Sequence, residues 1–289
     1  MNKLIKFTAG LIATFILTGC GSDSNDDNQV SRFDINDYQA VENSSSLEGI
    51  WVGISNYTEE TVHTGENEGL VDSDRVSKRR IFRIIKDPSL TSGYSIDHLF
   101  YGPMPLSITE DHADFIISGA MSLFSSSIDV IVTNNNRMTG TLSNEKGDQD
   151  WVFIKTSNEV DSIGSVSVSN NWSNSPDSND EYLAMVLLEE IRESKNNMDG
   201  HSYEHSYELS FDESLILNPL RRLLIAKEDR LNTANDKLSV FINGFKIESS
   251  EGNVEITTSQ SNSSSLITEF SGTDDIESNS VILTANLSF

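Results

Sequence analysis

Hydrophobic and polar residues alternate with a period of two over several short segments of this chain. Ile50, Val52 and Ile54 alternate with Trp51, Gly53 and Ser55, which is typical of a β-strand with two different faces. The same pattern predicts further strands at Val76–Ile85, Asp114–Ile117, Ser127–Val132, Met138–Leu142 and Trp151–Lys155. Short strands separated by turn-forming runs predict an antiparallel barrel or sandwich over residues 47–157.

The second half of the chain has a more mixed pattern. Residues 158–180 are rich in Ser, Asn and Asp and predict a linker, although Ser165–Trp172 also fits an early strand. Beyond it we predict a smaller α+β unit over residues 181–289. Glu181–Glu193 has apolar residues at helical spacing, and Asn218-Pro219 is typical of the start of a second helix, but both segments also fit strands. The remaining predicted strands are Leu238–Ile247, Asn253–Thr258, Leu266–Phe270 and Val281–Phe289.

The N-terminus has the parts of a secretory signal in their usual order. Lys3 and Lys6 precede an apolar stretch, Phe7–Leu17, that is too short to span a bilayer. The following Leu17-Thr18-Gly19-Cys20 resembles the lipobox of bacterial lipoproteins, and Cys20 is the only cysteine. The resemblance implies that residues 1–19 are removed and that Cys20 is acylated. Because Gly21 rather than an aspartate follows the cysteine, it also implies anchoring in the outer membrane, facing the periplasm or the cell surface.

Residues 20–46 are acidic and almost without apolar content, so we predict a disordered tether between the anchor and the folded body. The whole chain has a formal charge of −25, which excludes nucleic acid and anionic lipid headgroups as favoured partners. A single cysteine rules out an internal disulfide, and no second apolar run is long enough for a transmembrane helix. Burial of apolar surface must therefore hold the fold together.

Gly49-Ile50-Trp51, in the first predicted strand, resembles the Gly-x-Trp motif of lipocalin-type barrels. The resemblance implies a cup for a small apolar ligand, with Trp51 at its base. The arginine that the family has near the end of the last strand is absent, and Lys155 stands there instead. The alternative is that Trp51 is an ordinary aromatic residue of the core.

Catalytic chemistry has no positive support in the sequence. His201-Ser-Tyr-Glu204-His205 matches the His-x-x-Glu-His pattern of inverted zinc proteases. However, the eleven residues from His201 to Phe211 alternate cleanly and predict a strand, in which Glu204 would face away from both histidines. The acidic clusters at Asp148/Asp150, Asp177–Glu181 and Asp274/Asp275 lack the pattern of an EF-hand loop. We therefore expect no enzyme activity, no metal and no cofactor.

These observations lead to one main expectation and one alternative. The main expectation is a lipoprotein anchored in the outer membrane that acts as a structural or interaction module of the cell envelope. The alternative is a lipocalin-like carrier or binder of a small apolar ligand.

Overall fold

The fold is built from antiparallel β-strands, as the alternation predicts. The computed structural model describes residues 32–63, 69, 71–98, 103–117, 126–144, 147–160, 163–170, 181–196, 200–212, 222–230, 237–242, 245–248, 254–261, 265–273 and 280–288. Side chains are described as far as residue 164, Asn144 excepted, and again from 186 to 194. In these ranges one 3₁₀ turn, Ile35–Asp37, precedes the strands. No helix in them is long and apolar enough to cross a bilayer.

The first nine strands form a nearly closed barrel, in which the last strand pairs with the first. They are Gly49–Val62 (β1), Val71–Lys86 (β2), Tyr94–Ile96 (β3), Met104–Pro105 (β4), Ser107–Thr109 (β5), His112–Ile116 (β6), Ser127–Thr133 (β7), Arg137–Asn144 (β8) and Gly147–Ser157 (β9). β4 and β5 are two pieces of one bent strand, separated only by Leu106, whose N–H donates to the Tyr94 carbonyl at 3.2 Å. The result is a nearly closed ring of eight antiparallel strands.

The central part of the β1–β2 hairpin is buried on both faces. Trp51 and Phe82, which pair across the two strands, belong to the core of the barrel. Val52, Ile54 and Ile81 point the other way because side chains alternate along a strand, yet they are also buried. Part of this second face is covered by residues 32–46, which come before β1.

Residues 32–46 pack against the barrel instead of forming a free tether. The Phe33 N–H donates to the Ser77 hydroxyl at 3.0 Å, and the Val41 N–H donates to the Lys155 carbonyl at 2.8 Å. The Phe33 ring also lies 4.7 Å from the Arg79 guanidinium. The predicted tether is therefore wrong for residues 32–46, because two aromatic side chains, Phe33 and Tyr38, find partners on β2. Residues 20–31 lie outside the described ranges.

The second half of the chain extends the same antiparallel sheet. Its strands are Gly164–Asn170 (β10), Glu181–Asn196 (β11), Gly200–Asp212 (β12), Arg222–Arg230 (β13), Lys237–Ile242 (β14), Phe245–Glu248 (β15), Val254–Ser261 (β16), Ser265–Thr273 (β17) and Ser280–Ser288 (β18). β10 to β15 pair in chain order, β16 to β18 do the same, and β18 returns to β10. β11 also pairs with β2, from Leu187 opposite Ile81 to Lys195 opposite Ser73.

The prediction of an α+β second unit is not supported. The segment Glu181–Glu193 lies in β11, and Arg222–Arg230, within the second helix candidate, is β13. The start of that candidate, Asn218-Pro219, lies outside the described residues. Part of the predicted linker is also a strand, β10, as the alternative for Ser165–Trp172 allowed. A mainly antiparallel β fold with a barrel over the first half is confirmed.

Candidate functional site

Trp51 lies at one end of the barrel, where a lysine covers it. Its indole N–H donates to the Leu47 carbonyl at 2.8 Å, and the Lys155 ammonium lies 5.9 Å from the centre of its ring. The Lys155 ammonium also donates to the carbonyls of Ser46 at 2.5 Å and Glu48 at 2.8 Å. Lys155 thus stands where the lipocalin resemblance expects an arginine, and ties the chain before β1 to the tryptophan ring. Burial lowers the pKa of Lys155 to about 8.

Gly49, the glycine of the Gly-x-Trp motif, has a steric reason to be there. Its φ is +145°, and a side chain at this position would come within 2.1 Å of the Ser157 carbonyl and 2.6 Å of the Lys155 stem. Only a residue without Cβ allows β1 to approach the end of β9 so closely. The motif is therefore explained by the closure of the barrel and by the path of Lys155.

Above Trp51 the interior of the barrel is filled by aromatic side chains. The ring of Phe153 lies 5.8 Å from that of Phe82, 5.3 Å from that of Phe115 and 5.4 Å from that of Trp151. These are normal packing distances for aromatic pairs. Gly53 makes room for them, because a Cβ there would lie 2.2 Å from two atoms of the Phe153 ring. Side chains of the protein thus occupy the space in which a cup would hold an apolar ligand.

Three arginines of β2 are buried, and two of them have carboxylate partners. Arg79 pairs with Glu189 of β11, with both side chains fully buried, and also donates to the Tyr38 hydroxyl at 2.8 Å. Arg83 pairs with Asp97 at 2.5 Å. The loss of hydration of a buried charge is offset only by good partners. In these two pairs the carboxylate compensates the arginine for the water that burial removes.

Arg80, between them, is buried in a different way. Its side chain is 1% exposed, Nη1 donates to the Ile116 carbonyl, and its guanidinium lies 5.2 Å from the centre of the Phe82 ring. Nε and Nη2 have no hydrogen-bond partner among the described residues. Burial lowers the pKa of Arg80 to about 9, so the group keeps its charge at neutral pH.

Two further buried polar atoms, on the same face of the sheet as Arg80, lack a partner among the described residues. They are the Ser55 hydroxyl on β1 and the Trp151 indole N–H on β9. Ser55 and Trp151 are directly opposite each other across the β1–β9 pair, and Arg80 is opposite Gly53, two residues from Ser55. Side chains in such positions share one face of the sheet and are neighbours. We call Arg80, Ser55 and Trp151 the inner donor cluster.

Farther along the same hairpin, charged side chains form a network around Arg192 of β11. Its guanidinium lies 2.6 Å from Glu59, 2.8 Å from Asp74 and 2.9 Å from Glu190. Glu190 is also 3.1 Å from the Lys78 ammonium. The neighbouring Tyr57 hydroxyl has a raised pKa because of burial and of the carboxylates of Glu190 and Glu59. The network joins β1, β2 and β11 by charge as well as by backbone pairing.

The outer wall of the barrel carries a groove of about 430 Å³. It is lined by His112, Asp129, Ile131, Thr139, Gly140, Thr141, Asp150, Trp151 and Val152, which lie on β6 to β9. Ile131 is 48% exposed and is one of three large apolar side chains that are exposed among the described residues. His112 Nδ1 lies 3.0 Å from the Asp129 carboxylate, and this contact raises the pKa of His112. The groove thus combines an apolar side chain with acidic groups.

The other residues considered from sequence have different places. Cys20 lies outside the described residues. The strand predicted for His201–Phe211 is confirmed as part of β12, which is incompatible with the helix that the zinc-protease pattern needs. Two residues outside these motifs also have partners of opposite character: His63 contacts Asp72 at 2.6 Å, and Asp97 pairs with Arg83. No group of three metal-ligating side chains comes together within the described ranges.

Sequence reasoning missed the inner donor cluster. The signal was the run Lys78-Arg79-Arg80 within a predicted strand. The central part of this strand is buried on both faces, so the consecutive charges of Arg79 and Arg80 are both buried. Comparisons with family models, curated proteins and solved structures found no match. The function must therefore be inferred from the geometry of the chain itself.

Proposed function

We propose that this protein is an interaction module held at the outer membrane by acylated Cys20, with the barrel as a solid scaffold and the groove on its outer wall as the binding surface. The observation that carries the proposal is the filled interior. With Phe82, Phe115, Phe153 and Trp151 in contact inside the ring, the groove that contains Ile131 is a concave surface that a partner can still reach.

The chemistry of the groove indicates the kind of partner. Ile131 offers an apolar contact, and the carboxylates of Asp129 and Asp150 stand beside it. A segment of an envelope protein with an apolar side chain next to lysine or arginine fits this arrangement. The acidic character of the whole chain, with a net charge of −25, would favour the encounter with such a basic segment.

The test is site-specific photo-crosslinking in the host with the full-length protein. A photoreactive residue replaces Ile131 in one variant and Thr58, an exposed residue of β1, in the control. We expect a crosslinked protein species from position 131 and none from position 58. Changing Asp129 and Asp150 to Asn should lower the yield at 131. Absence of a crosslink at 131, or equal crosslinks at both positions, would contradict the proposal.

The anchor is tested separately through Cys20. We expect Cys20→Ser to leave the precursor unprocessed by lipoprotein maturation and to release the body from the outer-membrane fraction. If the variant still matured and sedimented with that membrane, the anchoring part of the proposal would be wrong, while the role of the groove would remain open to its own test.

A second candidate function is the binding of a small ligand inside the barrel. It is favoured by the nearly closed eight-stranded ring with Trp51 covered by Lys155 at one end, an arrangement similar to the lipocalin cup. Native mass spectrometry of the mature chain, purified from its host in mild detergent, distinguishes the two candidates. A small molecule lost on denaturation would favour the carrier, and a bare chain mass or a bound protein would favour the interaction module.

A further inference from the structure

We infer that residues 32–46 form a releasable strap, which lifts from the barrel while the barrel stays folded and so lengthens the connection between Cys20 and β1. The strap comes directly before Leu47 and β1. Its effect on reach rests on the anchoring of Cys20 under the proposed function, whereas the release itself does not. Three features carry the inference: the exposure of the strap, its few contacts and its position in the chain.

The strap contributes no buried side chain to the fold. None of its fifteen residues is buried, whereas Leu47, the next residue, is 5% exposed and belongs to the core of the barrel. The 3₁₀ turn Ile35–Asp37 within it has no buried residue either. A segment that buries no side chain and lies outside the strand pairing belongs to the part of a fold that opens locally, at a lower free energy than global unfolding.

The first half of the strap is attached to the β1–β2 hairpin through two aromatic residues. The Phe33 N–H donates to the Ser77 hydroxyl at 3.0 Å, and the Phe33 carbonyl accepts from the Asn56 amide at 3.0 Å. The Tyr38 hydroxyl accepts from Arg79 at 2.8 Å. Because Arg79 also has a carboxylate partner on β11, its charge stays paired when the strap lifts.

The second half of the strap is attached by single hydrogen bonds. The Val41 N–H donates to the Lys155 carbonyl at 2.8 Å, and the Val41 carbonyl accepts from the Asn136 amide at 2.8 Å. The Asn43 carbonyl accepts from the Asn158 amide at 3.1 Å, in an exposed contact. Each such bond contributes little beyond the water contacts that it replaces, whereas ordering the strap costs conformational entropy at every residue. The margin that holds the strap down is therefore small.

The position of the strap gives its release a consequence. Arg32 lies 12 positions after Cys20, and Leu47 lies 27 positions after it. An extended chain spans at most about 3.3–3.6 Å per residue, so the released strap adds up to roughly 50 Å of chain between the anchor and the barrel. With the strap docked, the groove would serve a partner close to the membrane, and with the strap released it would reach one farther away.

Hydrogen exchange of the mature chain in a non-ionic detergent measures the release directly. We expect the amides of Phe33 and Val41 to exchange at least about 100-fold faster than those of Val52 and Phe153, which lie in buried parts of the sheet. The strap rates should stay nearly constant in low urea, as in local opening, while the core rates rise. Equal rates with equal urea dependence would mean that the strap opens only when the barrel unfolds, and would overturn the inference.

A single change in the strap tests its attachment. Tyr38→Phe removes the hydroxyl that Arg79 binds, so exchange at Phe33 should quicken about tenfold or more while Val52 keeps its rate. The matched control is Glu42→Gln, which changes an exposed residue of the same strap and should leave both rates as they are. A rise of the same size at Val52 would show that strap and barrel open together, which is contrary to the inference.

A disulfide gives the opposite test. Phe33→Cys with Ser77→Cys joins two residues that already contact each other, and an acylated Cys20 offers no competing thiol. Oxidation should slow exchange at Val41 at least tenfold, and reduction should restore the fast rate. Exchange that ignores the disulfide would overturn the inference.

The added length is measured by electron spin resonance on the non-acylated chain from Cys20 onwards, in which Cys20 is the only native thiol. One spin label is placed on Cys20 and the other at Thr58→Cys, an exposed position of β1. Phe33→Ala with Tyr38→Ala should shift the distances between the labels to longer values, and Glu42→Gln should not. Unchanged distances would refute the gain in reach. None of these measurements needs the acyl chain, so a failure of the Cys20→Ser test would remove the membrane anchor and leave the release standing.

Discussion

The buried ion pair between Arg79 and Glu189 fixes β11 to β2, and its removal gives the sharpest prediction for stability. The two residues are 110 positions apart in the chain and face each other in the β2–β11 pairing, with both side chains 0% exposed. Glu189→Gln keeps the shape of the side chain and removes its charge. Arg79 would then remain buried as a cation beside a neutral amide.

The expected cost follows from that burial. Removing one partner of a buried pair costs about 3–5 kcal/mol, a large share of the 5–15 kcal/mol by which proteins of this kind are stable. At about 2–4 °C per kcal/mol, Tm should fall by about 6–20 °C. The matched control is Glu190→Gln on the next residue. Its contacts with Lys78 and Arg192 are partly open to solvent, since the Lys78, Arg192 and Glu190 side chains are 22%, 21% and 26% exposed. We expect it to cost no more than about 1 kcal/mol.

Equilibrium unfolding in urea, followed by tryptophan fluorescence and circular dichroism, measures both costs. Replacing both partners, as Arg79→Met with Glu189→Met, should restore most of the lost stability, because no buried charge is left unpaired. If Glu189→Gln cost no more than Glu190→Gln, the pair would have to be solvated, and the reasoning from burial would be refuted.

Three further predictions concern the barrel. Gly53→Ala should lower the free energy of unfolding by about 1–3 kcal/mol, because its Cβ would lie 2.2 Å from the Phe153 ring. Adding Phe153→Leu should recover part of this loss of stability. An unchanged urea midpoint for Gly53→Ala alone would contradict the described packing. Asp129→Asn should bring the pKa of His112 down towards its ordinary value, since the Asp129 carboxylate raises it; an NMR pH titration that finds the same pKa in both proteins would exclude the contact. The pKa of Lys155 is about 8 in the folded protein and 10.5 in the unfolded chain. The unfolded chain therefore binds more protons between these two pH values, and the free energy of unfolding should rise with pH across them. Unfolding of Lys155→Met measured over the same pH range should lack the contribution of this residue to the rise.

The strands of the barrel could be predicted from the sequence because their signal is local. In β6 and β7, Ala113, Phe115, Ile128 and Val130 are buried and alternate with exposed or half-buried residues, so a period of two is visible in the letters themselves. The same holds for His201–Phe211, where alternation correctly outweighed a zinc-protease motif. The glycine and tryptophan of Gly-x-Trp also marked the end of the barrel at which β1 meets β9.

The helix prediction for β11 failed because its alternation is concealed by a charge. Leu187, Glu189 and Ile191 are buried on one face of the strand. In a sequence pattern, however, a glutamate is normally taken as an exposed position. With Glu189 taken as polar, Leu183, Val186, Leu187 and Ile191 fit a helical stripe. A bulge between Ala184 and Val186 shifts the register further. The ion pair with Arg79 on β2 lets this glutamate lie in the interior.

The sequence by itself determined the strands of the first half and the place of Trp51 in the opening strand, and it carries the prediction of a lipid anchor, because each depends on neighbouring residues or on a short motif. The tertiary structure decided which charges are buried and with whom. Arg79 meets Glu189, Lys155 covers Trp51, and Arg80 is left with free donors, since these relations depend on strand pairings between residues that are far apart in the chain. The pairing of strands that are far apart in the chain is set by the whole sheet, so it cannot be predicted from a local pattern of residues.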